Sequence, residues 1–271
     1  MKVRGIDHIH ILVTDLKKAT DLAEALVGGK SSEPYGGEDW NAWASYHKLG
    51  GFDLFQPIDM DRPILGGVKE DVGVYILAFR VDDIDHAVDE VTAMGLPVIS
   101  RIGSEEAGFG KLMLQAQLEQ YFGLQMELVE RGLPDDPLHC PMPDYLDHIE
   151  FYVHDIDSAA RFFTSLTDCP FPSPRADERL DAVTATNGLG IRITQPISAR
   201  SRVARSLETG AEGVYALGIV TKDLDDGVAT TEALGFQLTD RYETDGARVA
   251  EFDPAAFLGI SIKLIQRAPA A

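Results

Sequence analysis

The chain has 271 residues, 45% of them hydrophobic, and carries 44 Asp and Glu against 24 Lys and Arg, a formal net charge of −20. So acidic a balance argues against nucleic acid and anionic membranes as partners, because both are bound by basic faces. No apolar run approaches the ~18 residues of a membrane span, and MKVRGIDHI opens without the apolar core of a signal peptide, so the expected compartment is the cytoplasm.

In chain order, the first strand-like stretch is IDHIHILVTDL at 6–16, whose Asp15 stands at a helix N-cap before LKKATDLAEALVG. A period-2 strand, FDLFQP, closes the unit. The pattern returns at 74–84 as VYILAFRVDDI, with Asp83, a helix IDHAVDEVTAMG and a closing strand LQMELVE. Residues 132–144, GLPDDPLHCPMPD, hold four prolines and interrupt both periodicities, as a linker does. The third unit, LDHIEFYVHDI at 146–156, carries Asp155, the helix IDSAARFFTSLTD and the strand IRITQP. Arg200, Arg202 and Arg205 then form a basic cluster within 196–212, read as a solvated linker helix before a phosphate dock. The fourth unit, VYALGIVTKDL at 214–224, carries Asp223, the helix LDDGVATTEALG and the strand ISIKLIQ.

The four aspartates recur at steps of 68, 72 and 68 residues, so one β-α-β-β-β unit is repeated four times. A single unit would leave a sheet face and an edge uncovered, whereas two side by side curve into an eight-stranded cup with a concave pocket. The expected fold is therefore α+β: four βαβββ modules paired into two open eight-stranded cup-like sheets with helices outside. The expected domains are residues 1–131 and 145–271, joined by 132–144, in keeping with about 130 residues per domain. Cys140 and Cys169 lack metal-ligand spacing and make no disulfide framework, so both are read as reduced.

Paired modules opening with IDHIHILVTDL and DHIEFYVHDID resemble the vicinal oxygen chelate superfamily of glyoxalases, methylmalonyl-CoA epimerases, extradiol dioxygenases and bleomycin-resistance proteins. The resemblance spans nearly the whole chain. It implies a divalent ion held by side chains of the first and closing strands, the first-strand ligand standing seven residues before the repeated Asp. Those positions hold His8, Ile76, His148 and Ala216, and the closing-strand positions hold Asp53, Glu127, Arg192 and Lys263.

The resemblance therefore implies a metal set of His8, Asp53 and Glu127 in the first cup, suited to Zn, Mn, Fe, Co or Ni, with no organic cofactor. His10 lies two residues on, facing the same side of its strand, and is a candidate acid, base or replacement ligand. Glu127 is a second candidate base. His10, His47, Tyr46, Tyr75 and Gln125 are candidates for substrate contact. In the second cup the cations Arg192 and Lys263 would repel a metal. There His148, Glu150 and Arg192 suit an anionic or polar ligand, or Glu150 and Arg192 pair with each other.

Two functions follow as expectations. One is a lyase or isomerase acting on a small oxygenated metabolite in the first cup. The other is a metal-free binding or resistance protein that sequesters a small molecule between aromatic walls such as Trp40, Trp43, Tyr46, Tyr75 and Tyr121. Extradiol ring cleavage ranks below both, since that resemblance would place its iron ligands in the C-terminal half, where Ala216 and Lys263 stand. The partner expected is a small molecule, and the chain is expected as a monomer or homodimer.

Overall fold

The computed structural model describes residues 3–47, 51–62, 64, 72–102, 113–118, 122, 124–130, 146–210, 212–244, 246–254 and 258–268. The linker expected at 132–144, Cys140 within it, and Tyr121 lie outside these residues.

The first module contains β1 (Val3–Leu12), α1 (Leu16–Val27), β2 (Tyr35–Gly37), β3 (Ala42–His47) and β4 (Phe52–Pro57). The second contains β5 (Gly73–Val81), α2 (Ile84–Ala93), β6 (Val98–Ile102), β7 (Met113–Leu118) and β8 (Leu124–Val129). The third contains β9 (Leu146–Tyr152), α3 (Ile156–Thr167), β10 (Arg175–Asp177), β11 (Ala182–Thr186) and β12 (Ile191–Pro196). After α4 (Arg202–Thr209) comes the fourth: β13 (Gly213–Val220), α5 (Leu224–Ala233), β14 (Leu238–Thr244), β15 (Ala247–Phe252) and β16 (Ser261–Arg267).

Each repeated aspartate caps a helix. Asp15, Asp83 and Asp155 accept from the backbone N–H groups of Lys18, His86 and Ser158, and Asp223 from those of Asp225 and Asp226. A helix leaves its first N–H groups without internal partners, and an Asp in extended conformation satisfies one or two of them. At the other end, Gly28, Gly95 and Gly235 take positive φ of 79°, 75° and 95°. In the third module Asp168 holds that place at φ 54°.

The modules assemble into two open, curled eight-stranded sheets of identical order, β2-β3-β4-β1-β5-β8-β7-β6 and β10-β11-β12-β9-β13-β16-β15-β14. Within a module the opening and closing strands run parallel, as in β1 with β4 and β9 with β12. The long crossover through the helix allows this, whereas the remaining neighbours within a module are antiparallel hairpins. β1 lies at the centre of its sheet and is buried on both faces over most of its length.

By Cα packing the chain divides into two compact units, one of Met1–Asp7, Ile76–Pro141 and His148–Tyr215, the other of His8–Tyr75, Met142–Asp147 and Ala216–Ala271. In the first unit, Phe122 stacks on Phe163 at 5.2 Å between centroids and meets Phe151 edge-on at 5.8 Å. There too, Val203 and Leu207 of α4 pack on Tyr152, Leu180 and Ala182, so the helix expected as a solvated linker buries an apolar stripe. In the second unit, Leu22 and Leu26 of α1 join Ile11, Leu54, Leu217 and Ile262 around a small apolar cavity. Among the described residues no helix is long and apolar enough to cross a membrane.

Candidate functional site

His8 and His10 follow each other on one face of β1, and both are buried, at 4% and 8% exposure. Their Nε2 atoms are 2.8 Å apart. That separation requires one proton between them, so one imidazole donates and the other accepts. Glu127, fully buried on β8, completes a group in which the ligating atoms of His8, His10 and Glu127 all lie within 4.8 Å of one another.

Asp53 stands beside His10 in the parallel β1–β4 register, with Oδ2 4.0 Å from His10 Nδ1. The Tyr35 hydroxyl donates to Asp53 Oδ1 at 2.8 Å. Burial first, and then the Asp53 charge, push the Tyr35 phenol well above its usual pKa, so it stays a donor at any ordinary pH. Tyr46 is the cross-strand partner of Asp53 on β3 and adds to that shift. The Tyr75 hydroxyl is 3.4 Å from His10 Nδ1, its ring edge-on to the imidazole at 5.6 Å, while Phe55 stacks on the imidazole at 5.4 Å and 7° between planes and meets Tyr75 edge-on at 5.8 Å.

Among the remaining candidates, Gln125 is buried on β8 opposite Ile76, which is itself 3% exposed. His47 is placed elsewhere. Because Tyr46 pairs with Asp53, its neighbour His47 turns to the other face of β3. There it is buried against the end of α1, hydrogen-bonded to the Gly28 backbone and close to Glu24. Burial lowers its pKa below the ordinary value and keeps the ring neutral at pH 7. Trp40 meets Tyr35 edge-on at 5.8 Å, and Trp43 is 47% exposed.

The second sheet carries different chemistry at matching places. His148 and Glu150 are buried on β9. Arg192, beside Glu150 in the β9–β12 register, has Nε 3.4 Å from Glu150 Oε1 and its NH2 3.6 Å from Asp177 Oδ2. The Thr194 hydroxyl also donates to Glu150 Oε1 at 2.9 Å. Lys263, 2% exposed, is the cross-strand partner of Glu251, 1% exposed. The carboxylates of Asp177 and Glu251 were not singled out in the sequence. Glu251 had a signal: it lies twelve residues before Lys263, as Gln115 lies before Glu127.

A sequence profile of the Glyoxalase/Bleomycin resistance protein/Dioxygenase superfamily matches residues 7–111 and again 147–252, well over half of the chain. The protein belongs to this superfamily. Solved structures agree on the superfamily fold. A variant of 4-hydroxymandelate synthase from Streptomyces coelicolor is similar at 15% identity and a TM-score of 0.68, over 100% of this chain and 94% of that one. BphC, a halotolerant catechol dioxygenase, is similar at 11% identity and a TM-score of 0.65, over 98% and 87% of the two chains. Methylmalonyl-CoA epimerase from Mycobacterium tuberculosis matches 46% of this chain and 89% of its own at 20% identity and a TM-score of 0.42. No curated protein matches the sequence.

Members of this superfamily often use a divalent metal, and the donor set here fits one. Two imidazole nitrogens and a carboxylate converge in a buried place, with a carboxylate behind one imidazole. That combination suits a borderline divalent ion with positions left for water or substrate. Among the described residues, no second group of three such ligating side chains meets the same spacing.

Proposed function

We propose that the protein is a small-molecule-metabolising enzyme whose active site lies at His8, His10 and Glu127 of the first sheet, acting as a lyase or isomerase on a small oxygenated metabolite. The division into domains 1–131 and 145–271 belongs to the same proposal, with the chemistry in the first. The observation that carries it is the convergence of His8, His10 and Glu127 within 4.8 Å. A divalent ion held there supplies Lewis-acid stabilisation of negative charge developing on a substrate oxygen.

The chain's own residues do the remainder. His8 and His10 present Nε2 atoms to one point, and the buried Glu127 carboxylate offsets positive charge there. The buried Gln125 amide supplies a polar contact for substrate, and the Tyr75 hydroxyl, against His10 Nδ1, holds that ring in orientation. With both Nε2 atoms given to an ion, the base for an acidic C–H would be the Glu127 carboxylate; without an ion it would be His8 or His10, with Glu127 as partner.

A second reading has one observation in its favour: two histidines with one carboxylate is also the donor set of non-haem Fe(II) oxygenases. The two are separated by supplying the protein, loaded with Mn²⁺, Zn²⁺ or Fe²⁺, with acyl thioesters, dicarbonyl–thiol adducts and catechols. Deuterium uptake from D2O at a substrate carbon, lost in Glu127→Ala, supports the isomerase or lyase reading. Oxygen consumption with a catechol and Fe²⁺ supports the other. A wild-type protein that binds a small molecule tightly without turnover, and keeps that affinity in His8→Ala, points to a sequestering protein instead.

A further inference from the structure

We infer that Asp53 serves the first site through His10 rather than as a ligand, and that Tyr35 holds it in that role; both are positioning residues. The inference rests on the metal-site reading above. Asp53 occupies the closing-strand position at which a direct ligand is expected, yet it stands with two other groups. Its Oδ1 accepts the Tyr35 hydroxyl at 2.8 Å, and its Oδ2 is turned to His10 Nδ1 at 4.0 Å. The tether on one oxygen fixes which way the other points.

The imidazole it addresses is held on three sides. Phe55 stacks on the ring, Tyr75 stands edge-on, and His8 meets its Nε2. With a carboxylate and a hydroxyl at Nδ1, the favoured tautomer carries its proton there. Nε2 then presents a lone pair on the side where His8 and Glu127 converge. A carboxylate behind a ligating imidazole fixes its tautomer and raises its basicity. The substitution also explains how the site works with Ile76 at the other first-strand position: His10 takes over as nitrogen donor, and the carboxylate beside it in register becomes its support.

The second sheet uses the same register for an independent pairing, since Glu150 and Arg192 stand where His10 and Asp53 stand and lie 3.4 Å apart. The neighbouring positions of opening and closing strand therefore interact in both halves. Tyr35 is specific to the first: the three-residue strand β2 brings it to Asp53, and the corresponding strand β10 ends on Asp177, which faces Arg192 instead.

Titration of the purified protein with Co²⁺ and Zn²⁺, following ion binding by calorimetry and the Co²⁺ absorption spectrum, tests this with wild type, Tyr35→Phe, Asp53→Asn and His8→Ala. The expected result is one ion per chain in wild type, affinity lowered about 10–100-fold in Asp53→Asn and several-fold in Tyr35→Phe, and binding lost in His8→Ala. The metal-free proteins should melt within a few degrees of one another. If Asp53 were itself a ligand, Tyr35→Phe would release its carboxylate and leave affinity unchanged or tighter. That outcome overturns the positioning role while the metal site stands. Wild type that takes up no ion overturns both.

Discussion

At the scale of single residues, the IDHI opening of the first strand holds two separate functions in adjacent positions. His8 belongs to the proposed site. Asp7 is structural: its carboxylate is fully buried and accepts from Arg80 Nε and NH2 at 3.0 and 2.9 Å. The third module repeats the device, with Asp147 receiving Arg267. Removing a cation from a buried pair leaves an uncompensated charge, which typically costs about 3–5 kcal/mol. Arg80→Ala should therefore lower stability by that order in urea unfolding, whereas a loss under about 1 kcal/mol would mean the pair is no support. His47 gives a pH prediction. Its folded pKa lies below its ordinary value of 6.5 because burial disfavours the charged ring, so the unfolded chain binds the extra proton first. Stability from this residue is complete above pH 6.5 and is lost as pH falls below it. Unfolding midpoints of wild type should drop between about pH 7 and 5 more steeply than those of His47→Gln. Parallel curves would refute this.

At the scale of elements, what could be read in the sequence was what is set locally. An Asp before Leu or Ile after an apolar strand caps a helix wherever it occurs, and the four copies place all four caps at the predicted residues. Asp155→Ala should cost about 0.5–2 kcal/mol. Asp168, in left-handed conformation where the other modules have glycine, should gain up to about 1 kcal/mol on Asp168→Gly, and both shifts are readable in thermal melts. What could not be read depends on register between distant strands. Tyr35 lies in SSEPYGGED, among turn formers and charges that read as loop, and only the pairing of β2 with β3 carries its hydroxyl to Asp53. The facing of His47 was open for the same reason, until the Tyr46–Asp53 pairing fixed it. Glu251 and Asp177 likewise depend on cross-strand partners rather than on any motif.

At the scale of the whole molecule, one module design recurs in two sheets of identical order that carry different charges. The positions that hold His8, His10, Asp53 and Glu127 in the first sheet hold His148, Glu150, Arg192 and Lys263 in the second. There the cations stand against carboxylates: Arg192 between Glu150 and Asp177, Lys263 opposite Glu251. Each cation thus has a carboxylate beside it, and the ammonium and guanidinium disfavour a metal ion. Chemistry in the first sheet and internal pairing in the second is the central claim. Its most direct test is metal content per chain, by mass spectrometry after loading with Mn²⁺, Fe²⁺, Co²⁺, Ni²⁺ or Zn²⁺ and removal of excess. One ion per chain is predicted for wild type and for His148→Ala, and none for His8→Ala or Glu127→Ala. No ion in wild type, or an ion lost with His148 and kept without His8 and Glu127, would contradict it.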